Sequence, residues 1–200
     1  IYQMMMMMIH LFNQLKINQP KREILQTKKN LRVLELPNIT VKQSENAYDI
    51  KKINGGIIVQ TIDSKLLDEY EVVTIRKPNK QELEDMLFTW KIVKYVKSNG
   101  IALGKDKQSI GIGPGQVNRI WATEQSVEHA NELIGKGITK GAILASDAFF
   151  PFADCVEAAH KAGITAIIQP GGSIRDQESI DKCNEYGISM VFTKMRHFRH

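Results

Sequence analysis

Cysteine is nearly absent: Cys155 and Cys183 are the only two, and neither has a second thiol at metal-ligand spacing. That scarcity excludes a cysteine-caged zinc module and a disulfide-dense secreted scaffold. The expectation is two free, buried thiols in a reducing cytoplasm, with a single bridge between them as the alternative. Long hydrophobic runs are missing too. Met4 to Met8 with Ile9 form an apolar stretch, but Gln3 and His10 bound it far short of the roughly 20 residues that span a bilayer. No charged start with a small-residue cleavage site marks a signal peptide, so no membrane partner is expected. A large excess of one charge sign is missing as well, with 27 Lys and Arg against 22 Asp and Glu. Residues 1–80 carry 13 Lys and Arg against 8 Asp and Glu, whereas residues 81–200 carry 14 of each, so the net +5 sits wholly in the first part. Lys21-Arg22, Lys28-Lys29 and Lys51-Lys52 are scattered pairs rather than a stripe with stacking aromatics, which argues against a nucleic-acid partner. The 42% apolar and 24% charged composition is that of an ordinary folded chain able to bury a core.

Beyond an irregular start, the chain alternates strand and helix patterns. Leu31 to Leu36 and Gly56 to Ile62 read as strands at sheet edges. The clearest helix spans Lys80 to Ser98, with Leu83, Met86, Leu87, Trp90 and Val93 at helical spacing. Asn79 and Glu82 form a capping pair at its start, and Lys94 and Lys97 lie in its last turn. Ile101 to Leu103 and Ser109 to Ile112 read as a hairpin around Lys105-Asp106-Lys107, followed by a helix over Val117 to Ile134. Ala142 to Ala145, Thr165 to Ile168 and Ser189 to Phe192 read as short buried strands, separated by helices near Asp154 to Ala162 and Asp176 to Tyr186. The expected fold class is a layered α/β sheet with helices on its faces.

Ligands of such sheets bind beyond the strand ends, which directs attention to the segments there. Lys97-Ser98-Asn99-Gly100 is either an Asn-Gly helix stop or a ligand contact through the Asn99 amide. Gly111-Ile112-Gly113-Pro114-Gly115-Gln116-Val117-Asn118-Arg119 is a glycine-rich turn into a helix. It suits an anion or a planar ligand, or is simply a tight turn, and its spacing matches neither the Rossmann nor the P-loop pattern. Ser146-Asp147-Ala148-Phe149-Phe150-Pro151-Phe152-Ala153-Asp154 sets aromatic surface between two carboxylates, as core packing or as a pocket for a flat heterocycle. The ending Arg196-His197-Phe198-Arg199-His200 is a solvated basic tail, as chain ends often are, or a phosphate-binding element brought to the same mouth. In Gln169-Pro170-Gly171-Gly172-Ser173-Ile174-Arg175-Asp176, Ser173 or Asp176 is read as a helix cap. His10, His129 and His160 have no partner at catalytic or metal spacing.

Taken together and in this order, KSN (97–99), GIGPGQVNR (111–119), ASDAFFPF (145–152), IIQPGGSIRD (167–176) and MRHFRH (195–200) resemble the AICAR transformylase domain of the bifunctional purine-biosynthesis enzymes. The resemblance covers about residues 28–200 and leaves 1–27 unmatched. It implies a cytidine-deaminase-like α/β fold without that fold's zinc. It also implies transfer of a formyl group from the cosubstrate 10-formyltetrahydrofolate to the 5-amino group of aminoimidazole carboxamide ribonucleotide (AICAR), in a cytoplasmic homodimer with sites at the subunit interface.

By the same resemblance, Asn99 is a catalytic and substrate-binding residue near the reacting amine, Arg119 orients the substrate, and the backbone at Phe149 meets its carboxamide. Arg196 binds the phosphate with His200 nearby. Pro151, Phe152 and Asp154 line the folate pocket. The family's general base is a histidine beside a lysine in the first half of the transformylase domain, and no Lys-His pair occurs in this sequence. The resemblance therefore implies the last part of a longer chain, without the cyclohydrolase domain, acting as an incomplete formyltransferase; the alternative is a nucleotide- and folate-binding fragment or an interaction module, without turnover. Gly100 and Pro114 stand where alanine is usual, and neither change removes a ligand-contacting side chain.

Overall fold

Short segments dominated by small and apolar side chains can sit in the middle of a sheet covered on both faces, and three of them do so. In the computed structural model, which describes residues 47–199 together with Glu23 and Thr27, β6 (Ile143–Ser146), β7 (Ala166–Gln169) and β8 (Ser189–Phe192) run parallel. Strands β3 (Glu71–Val72), β4 (Ile101–Lys105) and β5 (Gln108–Gly113) extend them antiparallel into a six-stranded sheet of order β3-β8-β7-β6-β4-β5. Helices α1 (Lys80–Val93), α2 (Arg119–Leu133), α3 (Asp154–Lys161) and α4 (Asp176–Tyr186) complete this unit, which spans residues 65–200. The α/β reading is correct.

Strand alternation sorts the core into two layers. Ile101, Leu103, Leu144, Ile167 and Met190 pack with Ala122 and Ala130 of α2, Cys155, Val156 and Ala159 of α3, and Cys183 of α4. On the opposite face α1 crosses β4, β6 and β7 with Met86, Trp90 and Val93 fully buried. Both thiols are free, and burial pushes each up to about 12. The first unit, residues 1–64, contributes an antiparallel hairpin of β1 (Tyr48–Ile53) and β2 (Gly56–Thr61). The sequence reading misses β1, whereas β2 is the edge strand expected at 56–62. The strand expected at 31–36 and the methionine run lie outside the described residues, as does His200.

Three local expectations need correction. The long helix ends at Val93 rather than Ser98, so its last-turn cation is Lys91 and not Lys94 or Lys97. The backbone beyond is committed elsewhere: Gly115 N donates to Lys97 O at 2.8 Å, Ser98 N to Arg199 O at 2.9 Å, and Asn99 N to Gln116 O at 3.3 Å. These non-local bonds take the place of another helical turn. Neither Ser173 nor Asp176 caps α4, whose N-cap position is Arg175. The Asp176 carboxylate instead accepts from Gly172 N at 2.6 Å and closes the preceding loop. The basic tail does not fray through Arg199: His197 is fully buried and its N–H donates to Asp147 O at 2.9 Å.

Candidate functional site at one end of the sheet

Register decides which loops meet. Ile101 pairs with both Ser146 and Gly113, so the start of β4, the end of β5 and the end of β6 lie side by side. The parallel strands β7 and β8 end at the same edge, with Gln169 opposite Phe192. The segments 97–100, 114–119, 147–153, 170–175 and 193–199 therefore leave or enter the sheet at one end. Direct bonds tie them together: Asp147 N to Gly100 O at 3.2 Å, Lys194 N to Pro170 O at 3.0 Å, and Phe150 N to Gln169 Oε1 at 2.9 Å.

Arg119 is the hub. Asn118 caps α2 by accepting from Trp121 N at 2.9 Å, which makes Arg119 the first helical residue and aims it across the strand ends. The guanidinium donates through Nη2 to Asp147 Oδ1 at 3.0 Å, through Nε to Ala148 O at 3.3 Å, and through Nη1 to Asn99 Oδ1. Asn99 Nδ2 donates to Gln116 O at 2.9 Å. A guanidinium only donates and a carbonyl only accepts, so the Asn99 amide has one possible orientation. Burial lowers the Arg119 pKa from its usual value while the Asp147 charge raises it, and the nearby Arg196 charge lowers it further.

Phe149 is half-buried, and the exposed Arg196 guanidinium lies 4.8 Å from its ring centroid. This cation–π contact holds the guanidinium over the ring, where its N–H groups can meet an anion. Phe152 is half-exposed with Arg175 at 4.9 Å over its ring. Thus Asn99 and Arg119 touch directly, Arg196 sits over Phe149, and Pro151 and Phe152 follow on the same loop. Asp154 begins α3 instead, accepting from Cys155 N at 2.8 Å, and lines a groove of about 550 Å³ between α2 and α3 with Ile120, Glu124, Lys140 and Lys161.

The glycines of the 111–119 segment do something other than approach a ligand. A Cβ on Gly113 would come within 1.9 Å of Ala122 O, and one on Gly111 within 2.1 Å of Ser126 O, so both exist to seat α2 on β5. Only Gly115, at φ +66°, serves the turn itself. Sequence reasoning gave no role to Asp147, the ionic partner of Arg119, although its place directly after a strand pointed to it. It also missed the Gln169 side chain, fully buried and aimed at the Phe150 amide, and the Arg175–Phe152 stack.

Comparison with known proteins agrees with the resemblance at the level of family. The model of the AICARFT/IMPCHase bienzyme matches residues 14–129. The bifunctional purine biosynthesis protein PurH of Acetivibrio thermocellus is 61% identical over 180 residues, covering 89% of this chain and 34% of that protein. PurH of Caldicellulosiruptor saccharolyticus is 57% identical over 178 residues, covering 88% and 33%. PurH of Clostridium perfringens is 59% identical over 178 residues, covering 89% and 33%. The chain spans about a third of the length of these relatives. Among solved structures, Acinetobacter baumannii RibD aligns over 55% of this chain and 33% of that one at 16% identity and a TM-score of 0.36, a likeness too slight to argue from. By the family match, this chain belongs to the AICARFT/IMPCHase bienzyme family.

Proposed function

We propose that residues 65–199 form the nucleotide- and folate-facing wall of a formyltransferase site that takes AICAR and 10-formyltetrahydrofolate. The observation that carries this reading is the contrast between two of the arginines at one sheet end. Arg119 is fixed by three acceptors, whereas Arg196 is exposed, with its guanidinium over the Phe149 ring. A buried, immobile guanidinium suits orientation of a neutral carboxamide and amine, and an exposed one suits a phosphate, so the two ends of one ribonucleotide are provided for. The segments of the transformylase resemblance supply these residues, which favours formyl transfer over cyclisation as the activity this part serves. The aromatic surface of Phe152, with Pro151 beside it, offers a face to a pterin, and Asp154 offers an acceptor toward its donor edge from the neighbouring groove.

In the reaction, the 5-amino nitrogen attacks the formyl carbon, a C–N bond forms, and the bond to folate N10 breaks as N10 takes a proton. Asn99 and Arg119 hold the amine in line. The proton on the attacking nitrogen needs a base, which none of these residues supplies. In this reading the rest of the family's chain provides it, and a second copy completes each site. These 200 residues alone then bind without turnover.

Titration calorimetry with AICAR tests the reading. We expect binding by the chain and a loss of roughly 10- to 100-fold in Arg196→Ala, the range for removing a hydrogen-bonded charge from an anion. Unchanged affinity in that variant would overturn the phosphate role.

A further inference from the structure

The segment that carries Arg196 has no strand or helix to hold it, yet it is fixed across the sheet end. Past Thr193, the side chain it buries is His197, at 0% exposure between exposed neighbours Arg196 and Phe198. The imidazole lies 4.7 Å from the Trp90 ring, centroid to centroid, and its Nε2 is 3.1 Å from Leu66 O. A carbonyl can only accept, so Nε2 carries the proton. The same carbonyl accepts from Trp90 Nε1 at 2.8 Å, which joins the three groups into one cluster. On the backbone side, His197 N donates to Asp147 O at 2.9 Å, and Asp147 is the residue whose carboxylate holds Arg119. Two residues on, Ser98 and Arg199 exchange bonds of 2.9 and 3.0 Å beside Asn99.

We propose that His197 is a positioning residue for the nucleotide site. Seated between Trp90 and the Leu66 carbonyl, it pins backbone 195–199 across the strand ends and so holds the Arg196 guanidinium over Phe149. This inference rests on the reading that Arg196 takes the phosphate of the nucleotide. The alternation of one buried histidine between exposed residues does for the tail what a strand would do: it gives one side chain to the core and turns its neighbour to the ligand. Fixing an otherwise free arginine removes the ordering that binding would otherwise have to supply.

Two substitutions separate this role from a general need for bulk. His197→Phe keeps a ring against Trp90 and loses the donor, whereas His197→Gln keeps an N–H donor where Nε2 stands. Two measurements are made on the full chain and both variants, with near-ultraviolet circular dichroism to verify the fold. The first is hydrogen–deuterium exchange of the C-terminal peptide. Protection of the amides at 197 and 199 is expected in the wild-type protein and in His197→Gln, and is expected to be lost in His197→Phe while the central strands stay protected. The second is calorimetry with AICAR, where His197→Phe is expected to weaken binding on the order of tenfold and His197→Gln to recover most of the difference. A tail equally protected in folded His197→Phe overturns the positioning role whatever the calorimetry gives. A loosened tail with undiminished AICAR affinity overturns the link to the site. Wild-type chain that shows tail protection but no AICAR binding sinks the functional reading while leaving the exchange result to judge the tail.

Discussion

Arg119 combines 8% exposure with a full positive charge, a combination that is stable only because its acceptors are already in place. Its truncation would take the guanidinium away from the Asp147 carboxylate, which is itself fully buried. We expect Arg119→Ala to lose about 3–5 kcal/mol of stability, the cost of removing one member of a buried pair, read as a lower urea midpoint at an unchanged slope. At this scale the sequence was informative about residues whose chemistry is local to a strand end. Asn99, just before β4, and Arg119 and Arg196, beyond the ends of β5 and β8, stand out there as polar groups next to buried strands, each with a structural reading beside the ligand-binding one. It was uninformative about partners. Nothing in the sequence joins Arg119 to a carboxylate 28 positions away, or His197 to a carbonyl 131 positions away, because those pairings are set by the sheet register.

Helix α1 shows what an element adds. Its start was readable, since Asn79 and Glu82 satisfy each other's backbone at 2.9 Å in a reciprocal capping box. Its end was not, because tertiary bonds from Gly115, Gln116 and Arg199 override a helical pattern that continues to Ser98. The glycine-rich segment shows the same limit. Gly111 and Gly113 read equally as a loop approaching a ligand or as a tight turn, and only the position of α2 reveals that they make room for a helix backbone.

Glu82 gives the element a pH signature. Burial alone would raise its carboxyl, but the hydrogen bond from Arg76 at 2.6 Å, the Asn79 amide, a bond to Thr165 and the Arg76 charge together hold it below the usual value. A folded pKa below the unfolded one contributes stability that is full above the unfolded value and lost as pH falls through the folded one. Urea midpoints measured from pH 7 downward should therefore fall more steeply below about pH 4.3 in the wild-type protein than in Glu82→Gln. Parallel curves would show that the carboxylate is not held as described.

At the scale of the molecule, the α/β class and the order of strands and helices follow from the pattern of buried runs, but the gathering of five loops at one sheet end follows from topology. Three parallel strands end there, and the β4–β5 hairpin is paired so that its open end joins them. The sequence supplied the segments and the register brought them together. The family match then raises the question of what a chain spanning a third of its relatives contributes to their chemistry.

The most direct test is complementation in trans. A PurH chain deleted for the region matched by this one is mixed with the 200-residue chain, and formyl transfer from 10-formyltetrahydrofolate to AICAR is followed. We expect no turnover by either part alone, turnover on mixing, and its loss when Asn99→Ala replaces the wild-type chain. Turnover by this chain alone, or a mixture that transfers formyl equally well with Asn99→Ala, would contradict the assignment of this sheet end as the substrate-holding wall.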